Sequence, residues 1–224
     1  MSRRQLGKWR DESGSFTIEA SLVLPIVLVV TALLLFLCLY IYQKSMLAQA
    51  SAAASERTAY IWDNSHKTAP SGSVEQGLHD SLYWRLTDDQ MLGILFGLSG
   101  GEASKSISIP QGENRDGNLP ELKMSKGSSA VPAGMSGEMH YINQLLIRKV
   151  TTSLHQQVSL SPLNRLLEDG GRIQVSAQSV VVDPVEFIRT VDVMRYYGSK
   201  FQGGRNRTDP SAAKDVLRKF GGTR

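Results

Sequence analysis

A run of uncharged, mostly apolar residues near the N-terminus constrains this chain more than any other feature. Residues 20–43 carry no charged side chain, and most of them are Leu, Val, Ile or Phe. An α-helix of about 20 residues spans the roughly 30 Å hydrocarbon core of a bilayer, and only a helix satisfies its own backbone there. Tyr40 and Tyr42 close the run, where aromatic rings favour the membrane interface. The sequence therefore predicts one N-terminal membrane-spanning helix.

The charges of the chain predict which way this helix is inserted. The whole chain carries a net charge of +4, but residues 1–14 carry +2 and residues 200–224 carry +5, so the part between them is mildly acidic. Only two basic residues, Lys44 and Arg57, follow the apolar run closely. Basic residues next to a membrane helix favour the cytoplasmic side. We therefore expect the N-terminus in the cytoplasm and most of the chain outside, in a bacterial cell membrane. The basic residues before the run are Arg3, Arg4, Lys8 and Arg10.

Residues that would carry catalysis or bind a metal are scattered. Cys38 is the one cysteine, so a disulfide within the chain and a cysteine-based metal site are both excluded. The four histidines lack the paired spacing of metal ligands, and no Gly-rich phosphate loop occurs. We predict no catalytic residue, no metal and no cofactor, and we interpret the basic C-terminal tail as solvated rather than bound to nucleic acid. The histidines are His66, His79, His140 and His155.

A carboxylate at the mouth of the apolar helix predicts a specific role in assembly. Glu19 is costly to bury in hydrocarbon unless a positive charge meets it. Cleavage after Gly14 would create an amine on Ser15 and make Glu19 the fifth residue of the shortened chain. That carboxylate can pair with the amine of a neighbouring subunit in a helical stack. The alternative is an interfacial Glu that stabilises the first helical turn.

This arrangement resembles the processing signal of type IV pilins and, more closely, the TadE-like family of minor pseudopilins. A basic leader ends in Gly14, and Glu19 and Pro25 follow at fixed offsets in a charge-free segment. Ser15 stands where type IV pilins usually have Phe, and the aromatic residue is displaced to Phe16. The resemblance implies processing by a prepilin peptidase between Gly14 and Ser15.

The resemblance also implies what the processed protein does. It assigns an assembly role to Phe16, Glu19 and Pro25, and it implies a structural protein without catalysis. The expected partners are the membrane, a prepilin peptidase, other pilin or pseudopilin subunits and the assembly platform of a Tad-type pilus or secretion system.

Two alternatives remain open from the sequence. The first is an uncleaved, single-pass membrane-anchored protein whose extracytoplasmic part binds a partner. The second is a secreted enzyme released after Ala50 or Ala52, because these small residues look like a signal-peptide cleavage site.

The sequence as a whole predicts an α+β fold and divides into four segments. Residues 1–14 form a cytoplasmic leader, 15–62 the membrane helix and its extension, 63–202 an extracytoplasmic head and 203–224 a flexible basic tail. The head is predicted to hold one or two short helices within 74–96 and a long flexible loop over 97–137, with short strands near 106–109 and 121–124.

The second half of the head is predicted in more detail. We expect an amphipathic helix over 138–158, a short helix over 161–168 and a strand over 172–182. Asp183 then has the features of a helix N-cap, with Pro184 at the first helical position and Glu186 completing a capping box. This last helix is expected to end near Tyr197, before Gly198.

Overall fold

The computed structural model describes residues 13–95, 102–110, 118–157 and 172–202. These residues divide into two units. The first holds residues 13–43, the N-terminal part of helix α1, which as a whole runs over Ser13–Tyr60. The second unit begins at Lys44 and contains the head. The predicted tail over 203–224 and the predicted helix over 161–168 lie outside the described residues.

The head is a four-stranded antiparallel sheet with helices, as the α+β prediction requires. The strands follow each other in chain order, β1-β2-β3-β4, and each pairs with the next. The helices of the head that the structure describes are α1, from Lys44 onward, and four shorter ones. The strands are β1 (Ala103–Ile109), β2 (Ser136–Gln144), β3 (Ile147–Gln157) and β4 (Arg172–Val180), and the shorter helices are α2 (Trp84–Thr87), α3 (Met91–Leu95), α4 (Leu119–Ser128) and α5 (Pro184–Gln202).

Helix α1 packs on one face of the sheet through small side chains. Ser51 donates a hydrogen bond of 2.6 Å to the carbonyl of Thr152 on β3, and Thr58 lies 3.5 Å from the sulfur of Met139 on β2. Small side chains allow a helix to approach a sheet closely, because little volume separates the backbones. A narrow stripe of α1 is buried in the head, formed by Leu47, Ala50, Ser51, Ala54, Ser55 and Thr58.

Helix α4 approaches α1 even more closely at one glycine. A Cβ atom on Gly127 would lie 1.7 Å from the hydroxyl oxygen of Thr58 and 2.7 Å from its Cβ. No larger residue fits without movement of a helix, so Gly127 sets the distance between α4 and α1.

The predicted helix over 138–158 is wrong. These residues form the hairpin of β2 and β3, in which Tyr141 pairs with Val150 and the chain turns at Leu145 and Leu146. Burial alternates along both strands, with Met139, Tyr141 and Asn143 buried on β2 and Arg148, Val150, Thr152 and Leu154 buried on β3.

The other predictions for the head have mixed outcomes. The strand near 106–109 is confirmed by β1, the strand over 172–182 by β4, and the short helices within 74–96 by α2 and α3. The strand near 121–124 is wrong, because these residues lie in α4, and the predicted loop over 97–137 contains β1, α4 and the start of β2. Helix α5 begins as predicted, with the Asp183 carboxylate accepting a 3.1 Å hydrogen bond from the amide of Glu186, but it continues through Gly198 to Gln202.

Candidate membrane anchor and assembly site

The N-terminal part of α1 has the exposure and composition of a single-pass membrane anchor. Every Leu, Val and Ile side chain between Ile18 and Ile41 is exposed, with 46–68% of its surface accessible. At 1.5 Å per residue, residues 20–43 extend over about 36 Å, enough to cross a hydrocarbon core. Among the described residues, one helix is long and apolar enough to do so.

The serine and threonine hydroxyl groups of residues 20–43 are satisfied within the helix. Ser21 donates a hydrogen bond of 2.8 Å to the carbonyl of Ile18, and Thr31 donates to the carbonyls of Val27 and Leu28 at 2.9 and 3.0 Å. A polar group without a partner costs several kcal/mol in hydrocarbon, so this bonding makes both residues compatible with lipid.

The five residues predicted for processing and assembly all lie on α1. Gly14, Ser15 and Phe16 belong to its first turn, and Glu19 follows in its second turn with an exposed side chain. Pro25 lies inside the helix, where its ring nitrogen has no hydrogen to donate to the carbonyl four residues earlier. Helix α1 continues past Pro25, so this proline does not end the helix.

The part of α1 that contains Gly14, Glu19 and Pro25 is similar to a known protein family. Residues 14–56 match the family of TadE-like protein. The matched part starts at Gly14, covers about a fifth of the chain and contains the whole apolar segment. The resemblance inferred from the sequence is thereby confirmed. No curated protein and no solved structure matches the chain.

The TadE-like match associates this chain with the assembly of Tad pili, with a membrane location and with pilus partners. TadE-like pilus proteins are structural rather than enzymatic. In the part of the chain that the structure describes, no group of three His, Cys, Asp or Glu side chains is arranged to hold a metal ion.

Within the head, a buried lysine cluster fastens the turn that follows α1 to helix α4, and the sequence analysis missed it. Lys123 on α4 has no solvent exposure, and its ammonium group lies 2.6 Å from the carbonyl oxygen of Trp62 and 2.7 Å from the Asp80 carboxylate. The ammonium also lies 3.8 Å from the centre of the Trp84 ring, as a cation–π contact. Ser65 donates to the same Asp80 carboxylate through its amide, at 2.9 Å, and through its hydroxyl.

The charges in this cluster stabilise each other. Burial raises the pKa of the Asp80 carboxyl, but the charge of Lys123 and the hydrogen bonds from Lys123 and Ser65 outweigh burial, so the pKa lies below its ordinary value. Burial lowers the pKa of Lys123, and the Asp80 charge opposes that effect. The cluster joins the turn just after α1, the loop that contains Asp80 and helix α4.

A second buried cluster joins α2, the sheet and α5. The Arg85 guanidinium lies 3.0 Å from the Asp89 carboxylate and donates to the Thr190 hydroxyl on α5 at 2.7 Å. Tyr141 donates to the Asp89 carboxylate at 3.1 Å, and Asn143 donates to the Asp89 carbonyl at 3.1 Å. Burial and the Asp89 charge raise the pKa of Tyr141, so its hydroxyl stays protonated as the donor. Both clusters connect elements of the head to one another.

Proposed function

We propose that this chain is a membrane-anchored minor pseudopilin that acts structurally in a Tad-type pilus or secretion system. The observation that carries the proposal is the placement of Gly14, Glu19 and Pro25 on one exposed apolar helix whose segment 14–56 matches the TadE-like family. The leader lies in the cytoplasm and the head outside, as the excess of basic residues before the helix favours.

Processing by a prepilin peptidase occurs between Gly14 and Ser15. Gly14 lies in the first turn of α1, and glycine is about 1 kcal/mol less favourable than alanine inside a helix, so this turn opens at low cost for the peptidase. The cut leaves a new amine on Ser15, four residues before Glu19 in the chain.

Glu19 then meets the Ser15 amine of a neighbouring subunit. An exposed carboxylate next to a long apolar surface is favourable in a helical stack only when a positive charge compensates it, because both charges leave water together. The pair sets the axial position of one subunit against the next. Phe16 and Pro25, on the same part of the helix, contribute to packing between subunits.

The assembly role of Glu19 is tested in cells that carry the remaining pilus genes. Glu19→Gln and Glu19→Ala are expected to enter the membrane fraction normally but to disappear from sheared or detergent-extracted assemblies. Glu75→Gln is the matched control, since Glu75 is an exposed carboxylate outside the helix. Normal incorporation of Glu19→Ala would contradict the ion pair and favour an uncleaved anchored binding protein.

A further inference from the structure

Helix α5 leaves a stripe of apolar side chains exposed. Its inner side faces α2 and α3, where Thr190 is 1% exposed and Val193 packs against a buried apolar cluster. On its outer side Phe187, Ile188 and Val191 are 48%, 60% and 39% exposed. Contiguous exposed apolar surface of this kind marks an interaction site on a protein.

This surface, which we call the α5 stripe, ends in a cation on its C-terminal side. Its members fall at positions i, i+3, i+4, i+7 and i+11, which places them on one side of the helix. Arg195, the last of them, is exposed and makes no ion pair with a described residue. The stripe thus consists of apolar side chains followed by one available positive charge. Its members are Pro184, Phe187, Ile188, Val191 and Arg195.

A groove at the N-terminal end of α5 carries the opposite charge. It lies between the end of α1 and the start of α5, inside the head unit, and has a volume of about 440 Å³. Glu56, Asp63 and Asp183 contribute carboxylates to its lining, and Lys67 contributes the one cation among the lining residues. The Lys67 ammonium is already engaged, because it lies 2.7 Å from the Asp63 carboxylate. The groove therefore keeps the negative charges of Glu56 and Asp183.

A second copy of the same helix matches both features. Two antiparallel α5 helices that are centred on Arg189 set Phe187 of each copy level with Val191 of the other. The same register sets Arg195 of each copy level with Asp183 of the other, which lines the groove. Each contact is then made twice around a two-fold axis, as in an isologous dimer. Antiparallel helices also place opposite ends of their macrodipoles side by side, which is favourable.

We propose that the head associates with a second copy of itself through antiparallel packing of the two α5 stripes. Apolar side chains meet along the stripes, and Arg195 of each copy pairs with Glu56 and Asp183 of the other. An anionic lipid surface is a poorer partner for the stripe, because the groove carboxylates repel its headgroups.

The size of this contact makes the association weak and its charges make it specific. The stripe is about 17 Å long at 1.5 Å per residue, so the contact is small compared with a stable interface. The ion pairs fix the register, because a shifted pairing separates Arg195 from the groove carboxylates. The contact does not involve Glu19, so it is independent of the proposed processing and assembly of the N-terminal helix.

The proposal is tested by disulfide formation between full-length chains in detergent micelles, with Cys38→Ser as background. Ile188→Cys places a thiol in the α5 stripe, next to the two-fold axis. Gln178→Cys is the control, because Gln178 is exposed on β4, outside the stripe. We expect Ile188→Cys chains to form intermolecular disulfides about tenfold faster than Gln178→Cys chains, because pairing raises the local concentration of the second thiol. Equal rates for the two variants would overturn the proposal.

Exchange of the charges tests the register of the two helices. In the Ile188→Cys chain, Arg195→Glu and Glu56→Lys should each lower the rate to that of the Gln178→Cys control, because like charges then face each other. The two substitutions together should restore the rate, since the opposite charges have only changed places. Arg172→Glu is the matched control, because it changes the net charge as Arg195→Glu does but lies outside the stripe, and it should leave the rate unchanged. Circular dichroism confirms that each variant is folded, and a combined variant that stays slow would overturn the proposal.

Discussion

The ammonium of Lys123 and the carboxylate of Asp80 lie 2.7 Å apart in a site where their side chains are 0% and 3% exposed. They belong to different segments, helix α4 and the loop after α1, and the Trp62 carbonyl in the turn just after α1 accepts a hydrogen bond from the same ammonium. The pair therefore connects the segment that follows α1 to helix α4, and the stability of the head depends on it.

Lys123→Met should strongly destabilise the head. The substitution keeps the apolar volume but leaves the Asp80 carboxylate buried without its cation, which costs about 3–5 kcal/mol in comparable pairs. The free energy of unfolding, measured by denaturant titration of the full chain in micelles, checks this. Lys67→Met is the control, because the side chains of its ion pair are more exposed, 20% for Lys67 and 46% for Asp63. Exposed ion pairs contribute about 0–1 kcal/mol to stability. An equal loss of unfolding free energy in the two variants would contradict the stabilising role of the Lys123–Asp80 pair.

Acid should remove the contribution of Asp80 to stability. The folded-state pKa of Asp80 lies below its ordinary value of about 3.8, so its contribution is fully present above that pH and is lost as the pH falls through the folded-state pKa. The difference in unfolding free energy between the wild-type chain and Asp80→Asn should therefore be largest near neutral pH and should shrink below pH 3.8. A difference that grows in acid would show that the carboxylate is destabilising in the folded head.

Gly127→Ala should separate α4 from α1. The added Cβ would lie 1.7 Å from the Thr58 hydroxyl oxygen, so one helix has to move, and overpacking of this kind costs about 1–3 kcal/mol. Thermal unfolding in micelles checks the effect, with Ser129→Ala at the exposed end of α4 as control. Thr58→Ala should recover part of the loss by removing the nearest atom. An unchanged melting temperature for Gly127→Ala would mean that the helices are not in close contact.

The membrane helix could be predicted from the sequence because one physical requirement determines it. A charge-free segment of this length has to satisfy its backbone in lipid, and only a helix does so. The start of α5 was predictable for a similar reason, because the Asp183 side chain bonds locally to the amide of Glu186. In both cases the determining interactions are local in sequence.

The β2–β3 hairpin was not predictable because polar residues occupy its buried positions. Asn143, Arg148 and Thr152 are buried together with apolar neighbours, so the alternation of the strands is hidden in the sequence. The visible apolar residues, such as Ile142, Leu146 and Val150, follow helical spacing instead. The amide of Asn143 donates to the Asp89 carbonyl, which lies far away along the chain, and the sequence alone does not show such a contact.

Part of helix α4 was wrongly predicted as a strand for a similar reason, because its buried positions are not all apolar. Its buried positions include Lys123 and Gly127, which a hydrophobicity pattern counts as exposed or as loop. Lys123 is buried only because Asp80, Trp62 and Trp84 surround its ammonium from other segments of the head. The lysine cluster was thus invisible to a sequence pattern, although it lies next to the helix that the pattern identified best.

The most direct test of a processed pseudopilin is the N-terminal mass of the mature protein. The chain should be extracted from membranes of cells that contain a prepilin peptidase, and its N-terminal peptide identified by mass spectrometry. We predict a chain that begins at Ser15, and we predict that Gly14→Val retains the leader. A wild-type chain that still begins at Met1 in the presence of the peptidase would contradict the account.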